Sequence, residues 1–324
     1  MKTQTISIIG LGRTGLSVGL AIKQSKLAVT VIGHDKDDLR GKQAKEMGAI
    51  DRPERFLVPA VSSGDIVVVA VPAQEVSKVL AASGRDVQAH ALFLNLSSGK
   101  VAGQKLAEQW LKQGHYVGGS LVLAPAGLTD GRPDNQSANP NLFKNSLFCL
   151  MPSPKTEPKA IETATNLGVV LGASPFFLDP AEFDSLAQGS ETLPGLMAAV
   201  IFRAITKAAG WRDMLKFANA PFALATLALQ QEAQIAHLAL QDKTATLRWL
   251  DAIADELREV RQWVYEGDQE RLAALLEQLN LERDSWLAKR TNNNWNEQNL
   301  TPFEPLSLTE QLIGRRKKDD GRKA

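Results

Sequence analysis

Three glycines near the N-terminus have the spacing that says most about chemistry. Gly10, Gly12 and Gly15 lie in Ile8-Ile9-Gly10-Leu11-Gly12-Arg13-Thr14-Gly15, after the apolar run Ile6 to Ile9 and before a helical pattern that opens at Leu16. In that context Gly10 allows a tight turn, Gly12 lets backbone amides approach a pyrophosphate, and Gly15 lets the helix pack on the strand. The helix N-terminus adds unpaired N–H groups and positive potential, so Leu11, Arg13 and Thr14 join the glycines as a phosphate cradle. Asp35 ends the next strand-like run twenty residues after Gly15, the spacing at which a carboxylate meets the adenosine ribose of a dinucleotide. A 2′-phosphate facing Asp35 is repelled, which points to NAD; Lys36 beside it softens the repulsion and keeps NADP open. Val71 and Pro72, closing a third strand, fall beside the same ligand by position.

A parallel sheet has to hold these residues. Candidate strands are Thr5 to Ile9, Ala28 to Ile32, Asp65 to Val71, Ala91 to Leu94, Tyr116 to Val117, Leu147 to Leu150 and Pro175 to Leu178. They alternate with helical patterns, which predicts an α/β Rossmann domain with a doubly wound, mostly parallel sheet over residues 1–178. Ile66 to Val71 lacks polar alternation, so it should be central and covered on both faces. The Pro-, Gly- and Asn-rich stretch from Gly118 to Ser146 is longer than the ~12–15 residues usual for a structureless loop, and follows a strand's carboxyl end. It reads as an active-site loop.

The character changes after Leu178. Asp179-Pro180-Ala181-Glu182 has an N-cap, a first-turn proline and a reaching glutamate, so a helix begins there. No strand pattern follows. Leu247, Leu250, Ile253, Leu257, Val260 and Val264 recur at helical spacing, and Leu272, Leu275, Leu276 and Leu279 repeat the pattern after Gly267-Asp268. These stripes exceed what one small bundle buries, so residues 179–300 are expected to form an all-α dimerisation domain. Residues 301–324, proline-containing and then charged, read as a solvated, disordered tail.

Composition sets limits. The chain is 44% hydrophobic and 23% charged with a net charge of +1, which gives no field for nucleic acid. Cys149 is the only cysteine; this rules out an internal disulfide and a multi-cysteine zinc site, and no metal is expected. No apolar stretch approaches the ~18 residues of a membrane span and no signal segment opens the chain. A cytoplasmic protein is expected.

Further motifs in order resemble the prephenate and arogenate dehydrogenase family. Asn95-Leu96-Ser97-Ser98-Gly99-Lys100 is similar to its D-x-x-S-x-K segment, with asparagine for aspartate. Asn141-Leu142-Phe143, Met151-Pro152, Leu193-Pro194-Gly195 and Gly210-Trp211-Arg212-Asp213 resemble later family segments. The resemblance implies a Rossmann domain joined to a helical dimerisation domain. It also implies oxidative decarboxylation with NAD, a histidine drawing off the hydroxyl proton, and basic residues holding an anionic substrate.

Both family histidines are missing. The loop expected to carry one reads Gly118 to Gly127 without histidine, and the second falls at Thr192. The carboxylate-binding arginine falls at Lys216, which keeps charge but loses bidentate geometry. Of the four histidines, His34 borders the adenosine side, His90 and His115 precede strands at the far edge, and His237 sits on a helix. What the resemblance implies in their place is Ser98, which matches the family's serine, with Glu191 and Ser120 as further candidate catalytic groups and Lys216, Thr192 and Lys100 as substrate contacts. Besides the dehydrogenase, two readings fit the sequence: a catalytically degenerate NAD-binding regulatory dimer, and a dehydrogenase of an unrelated hydroxy acid with a rebuilt site.

Overall fold

The computed structural model describes residues 3–128 and 137–293. Its sheet contains β1 (Thr5–Ile9), β2 (Thr30–His34), β3 (Arg52–Pro53), β4 (Ile66–Val69), β5 (Leu92–Asn95), β6 (His115–Leu121), β7 (Ser146–Pro152) and β8 (Ala173–Phe177), in the order β3-β2-β1-β4-β5-β6-β7-β8. Every pairing is parallel except β6 with β7. Chain order reverses at β1, which lies between β2 and β4, so the carboxyl ends of β1 and β4 flank the point where open α/β sheets bind ligands.

Successive strand residues point to opposite faces, and both faces are covered. Ile8, Val68 and Leu94 belong to one buried cluster with residues of α1 (Arg13–Gln24) and, later in the chain, of the helix at residues 158–170. The helix α2 (Asp38–Glu46) lies between β2 and β3 in sequence. Ile9, Val67, Val69 and Phe93 form the opposite cluster with α3 (Leu57–Ser62), α4 (Val76–Ser83) and α5 (Lys100–Trp110). The helix at 158–170 is α6 (Pro158–Val170). All four residues of β4 are buried, as its unbroken apolar run requires.

The helical half begins as expected. Asp179 caps α7 (Pro180–Ala187), its Oδ1 accepting from the amides of Ala181 and Glu182. A π-helical turn, Gln188–Thr192, then runs without a break into α8 (Leu193–Thr206). Glu191 therefore sits inside a continuous helical rod rather than at a helix start. Pro194 has no N–H to donate, and a locally wide turn before it accommodates that deficit. The remaining helices are α9 (Trp211–Phe217), α10 (Ala220–Thr226), α11 (Glu232–Gln241), α12 (Lys243–Glu266) and α13 (Gln269–Thr291). Gly267, at φ +70°, ends α12 in the left-handed conformation that glycine adopts without strain. No strand follows β8 among the described residues.

Two expectations need correction. β3 was too short to leave a sequence pattern. The supposed loop from Gly118 is strand as far as Leu121. Its Gly119 is there for packing: a side chain at that position would meet Phe148 at 2.9 Å and Leu94 at 3.0 Å. Residues 129–136 of that stretch, and the tail 301–324, lie outside the described residues.

Candidate active site

The glycine turn joins β1 to α1. Gly10 is at φ +96°, and a Cβ there would lie 2.5 Å from the Ala70 carbonyl. At Gly15 a Cβ would overlap the carbonyl oxygen of Gly10. Beside Gly12 nothing lies within 4 Å. The first two glycines are therefore demanded by the protein's own packing, and the third opens on free space. That space faces a helix N-terminus with no side-chain cap and no acid in its first turn, so its orphan amides are available to an anion. Asp35 closes the turn from the other side: its Oδ2 accepts from the Leu11 amide at 2.8 Å and its Oδ1 from the Asp37 amide at 3.0 Å. Arg40 stands 3.8 Å from the same carboxylate. Arg13 donates to the Gly127 carbonyl at 3.2 Å, drawing the segment after β6 toward the turn. The open space at Gly12 and the uncapped helix N-terminus fit the phosphates of a dinucleotide.

Contacts lead from this turn to a second feature. Val71 Cγ1 would lie 2.9 Å from a Cβ on Gly10, and the Val71 carbonyl accepts from Ser97 Oγ at 2.6 Å. Asn95, fully buried, shapes the turn after β5: its Oδ1 accepts from the Ser97 amide, and its Nδ2 donates to the Tyr116 hydroxyl. Next comes Ser98, on the wall of a small, partly open crevice of about 30 Å³ between α5 and the helical half. Its other walls include Phe183, Asp184, Gln188, Glu191, Thr192 and Asp242.

The crevice brings together Ser98, Glu191 and Thr192 from the sequence-based candidates. Ser98 Oγ donates to Glu191 Oε2 across a long 3.5 Å contact. Glu191 keeps solvent access, yet the protein mass around it depletes water and raises its pKa. The Lys100 ammonium and the Ser98 hydrogen bond pull that value part of the way back, and Asp184 adds to the rise. Thr192 is buried next to it. The π turn is pinned from behind, where Gln188 donates to the Leu238 carbonyl at 3.0 Å and accepts from Thr246 at 3.4 Å.

Lys100 lies behind the crevice and is turned inward. It is 1% exposed, and its ammonium donates to the Ser97 and Gly119 carbonyls at 2.6 and 2.5 Å. Burial lowers its pKa from 10.5 to about 8 against the pull of Glu191 and Asp184. In this conformation the ammonium ties the β5–α5 turn to β6. Ser120 is two residues on from Gly118, the partner of Asn95 in β6, at the same end of the sheet. Lys216 is apart from all of these, exposed on α9 and paired with Asp213 at 2.9 Å. The histidines stay out of the crevice: His34 contacts the Glu54 carbonyl, His90 pairs with Asp65, His115 faces Glu157, and His237 is exposed on α11.

Sequence reasoning missed Asp184. Its two carboxylate oxygens accept from the amides of Lys100 and Val101, at 2.8 and 2.9 Å, and cap α5 from another part of the chain. No local signal marks such a cap. Among the described residues no group of His, Cys, Asp and Glu could hold a metal, and no helix is long and apolar enough to cross a membrane.

Residues 18–174 match the family described as prephenate dehydrogenase, nucleotide-binding domain. Over these residues the chain is similar to the nucleotide-binding domain of that family. The match begins just after the glycine turn, which stands on its own geometry. Prephenate dehydrogenase of Bacillus subtilis is 27% identical over 276 residues, covering 83% of this chain and 72% of that protein. A probable prephenate dehydrogenase, NovF, of Streptomyces niveus is 25% identical over 63% of this chain and 53% of its own length. Prephenate dehydrogenase from A. aeolicus, solved with hydroxyphenyl propionate and NAD+, superposes with a TM-score of 0.75 at 19% identity, covering 88% of this chain and 99% of that one. Synechocystis arogenate dehydrogenase gives 0.67 at 20% identity, covering 87% and 100%. The two structures share this fold, including the helical half after the sheet.

Proposed function

We propose that this chain is an NAD-dependent dehydrogenase of the prephenate dehydrogenase type, acting on prephenate, arogenate or a related small anionic hydroxy acid. The observation that carries this reading is the chain of contacts from the open glycine turn through Val71 and Ser97 to Ser98 and its crevice. It supports a reading in which a dinucleotide cradle and a proton-accepting site adjoin at the carboxyl ends of β1, β4 and β5. Bound NAD supplies the hydride acceptor. The chain's part is to hold the pyrophosphate at Gly12 and the ribose at Asp35, and to present Ser98 and Thr192 as hydrogen-bonding partners for the substrate hydroxyl. Ser120, at the end of β6, faces the same reaction zone in this reading. A purely regulatory NAD-binding dimer is not favoured, since the crevice retains both a hydroxyl and a carboxylate able to work on a hydroxyl proton.

The same proposal divides the chain into a cofactor part, 1–178, and a helical substrate and dimerisation part, 179–300. It makes the protein a homodimer, because apolar side chains of α12 and α13 stand in solvent in the single chain. Lys216 has its part as an anion contact only in that dimer, since α9 leaves it in solvent here. A cytoplasmic location belongs to this reading too, as the compartment that holds NAD and keeps the lone Cys149 thiol reduced. The test is NADH formation by the purified protein with prephenate and with arogenate, alongside calorimetric titration with NAD and NADP. Turnover with either substrate and tighter binding of NAD are expected. Binding of NAD with no turnover of either substrate would remove the proposed activity and leave the cofactor site.

A further inference from the structure

Oxidation at a hydroxyl-bearing carbon needs a group that takes the hydroxyl proton as the hydride leaves, and no histidine lines the crevice. Three carboxylates do, and their hydrogen bonds separate them. Asp184 spends one oxygen on the Lys100 amide and the other on the Val101 amide. Asp242 is committed to the first turn of α12, accepting from the Ala245 amide at 3.0 Å. Glu191 holds only the long contact from Ser98. Among the described residues it is the one crevice carboxylate that no backbone amide claims.

We infer that Glu191 is the general base of this site, with Ser98 orienting the substrate hydroxyl toward it. The inference rests on the dehydrogenase reading above and names the group that does the work of the absent histidine. The substrate's C–H electron pair leaves as hydride to the proposed NAD, the O–H pair becomes the second bond of a carbonyl, and the proton passes to Glu191. When the ring carboxylate departs as carbon dioxide, its C–C pair flows into the ring, and the oxygen takes its proton back from Glu191 as a phenol. No net proton is released.

The groups facing Glu191 suit this use. Asp184 from α7 opposes its ionisation, while the Lys100 ammonium from α5 and Ser98 favour it. Cys149 on β7 is coupled to it but stays a thiol, since burial pushes its pKa up to about 11. Asp242 closes the crevice at the start of α12. The result is a carboxylate more basic than an ordinary glutamate, its charged form favoured by a neighbouring ammonium.

Glu191→Gln keeps the shape and removes the base. The expected result is a fall in kcat of about 10²-fold or more, with NAD binding by calorimetry unchanged, partial recovery in Glu191→Asp, and loss of the acid limb of the kcat/KM profile. An independent readout is carbon-13 NMR of glutamate-labelled protein: one carboxyl should titrate above the ordinary range in the wild type and vanish in Glu191→Gln. Wild-type turnover in Glu191→Gln, or an unchanged acid limb, overturns the inference alone. Absence of turnover in the unmodified protein with both substrates overturns the dehydrogenase reading and this inference with it.

Discussion

Gly12 and Gly15 are the same residue type three positions apart, yet the space around them differs, and the difference is testable. A methyl at Gly15 overlaps the Gly10 carbonyl, whereas one at Gly12 meets nothing within 4 Å. Gly15→Ala should therefore lower stability by about 2–3 kcal/mol through overpacking. Gly12→Ala should leave the melting temperature of the ligand-free protein unchanged and weaken NAD at least about tenfold, about 1.4 kcal/mol. Equal effects of the two on stability would contradict the division of labour. Lys100 gives a second prediction. Its folded-state pKa is lowered from 10.5 to about 8, so between those values the unfolded chain holds a proton that the folded chain has lost. Stability then rises with pH: the cost of the buried ammonium is present in full below about pH 8 and is relieved as pH climbs toward 10.5. At about 1.4 kcal/mol per tenfold, that cost is about 3 kcal/mol. Urea midpoints of the wild type should accordingly gain on those of Lys100→Met across this window, and parallel pH dependences would refute the assignment. The glycines and Asp35 were legible in the sequence because a motif of that kind encodes backbone geometry. The inward turn of Lys100 was not, since lysine is ordinarily a surface residue and its two carbonyl partners come from the β5–α5 turn and from within β6.

At the scale of elements, α5 shows how the two halves of the chain complete each other. Its first amides would otherwise be orphans, and its N-cap, Gly99, has no side chain to serve them. Asp184 supplies the acceptor from α7, and a Cβ on Gly99 would come within 2.7 Å of Gln241 on α11. The crevice wall carrying Ser98 is thus set by the seating of the helical half on α5. Asp184→Ala should cost about 1–2 kcal/mol, the usual worth of a cap, and should also raise KM by loosening the crevice; thermal melts and steady-state kinetics on one preparation check both. A variant that melts earlier with unchanged kinetics would confine Asp184 to stability. Strand positions were readable from β-branched runs, and the α7 start from its cap residues, because both signals are local. Three features resisted. β6 was cut short because Gly118 and Gly119 look like loop residues, although the smallness of Gly119 serves packing. The π turn left no mark beyond Pro194. The pairing of Ser98 with Glu191 spans 93 residues, a separation that only the ordered family motifs brought into view.

For the whole molecule, the long helices pose the remaining physical question. In α12 the stripe read from the sequence is half covered: Leu250, Ile253 and Val260 are partly buried within the chain, while Leu247, Leu257 and Val264 are 58%, 59% and 62% exposed. On α13, Leu276 and Leu279 stand in solvent in the same way. Scattered apolar residues on a surface need no explanation, but a row of them at helical spacing on adjoining helices makes a patch of the kind that associates. Full burial of such a side chain is worth about 1.5–3 kcal/mol, so a second copy covering several of these half-exposed ones offsets a good part of the cost of association. The occupant expected is an identical chain, because a self-complementary face is the ordinary route to a closed pair. Sedimentation equilibrium should give twice the chain mass at micromolar concentration, and the melting temperature should rise with protein concentration, as linkage requires when only the folded state associates. Replacing Leu257 and Leu276 together by arginine should yield a monomer that still binds NAD, since the glycine turn lies in the other half of the chain. A monomeric wild type with a concentration-independent melt would show that the stripe is covered by something else, and would leave Lys216 without any route to a substrate.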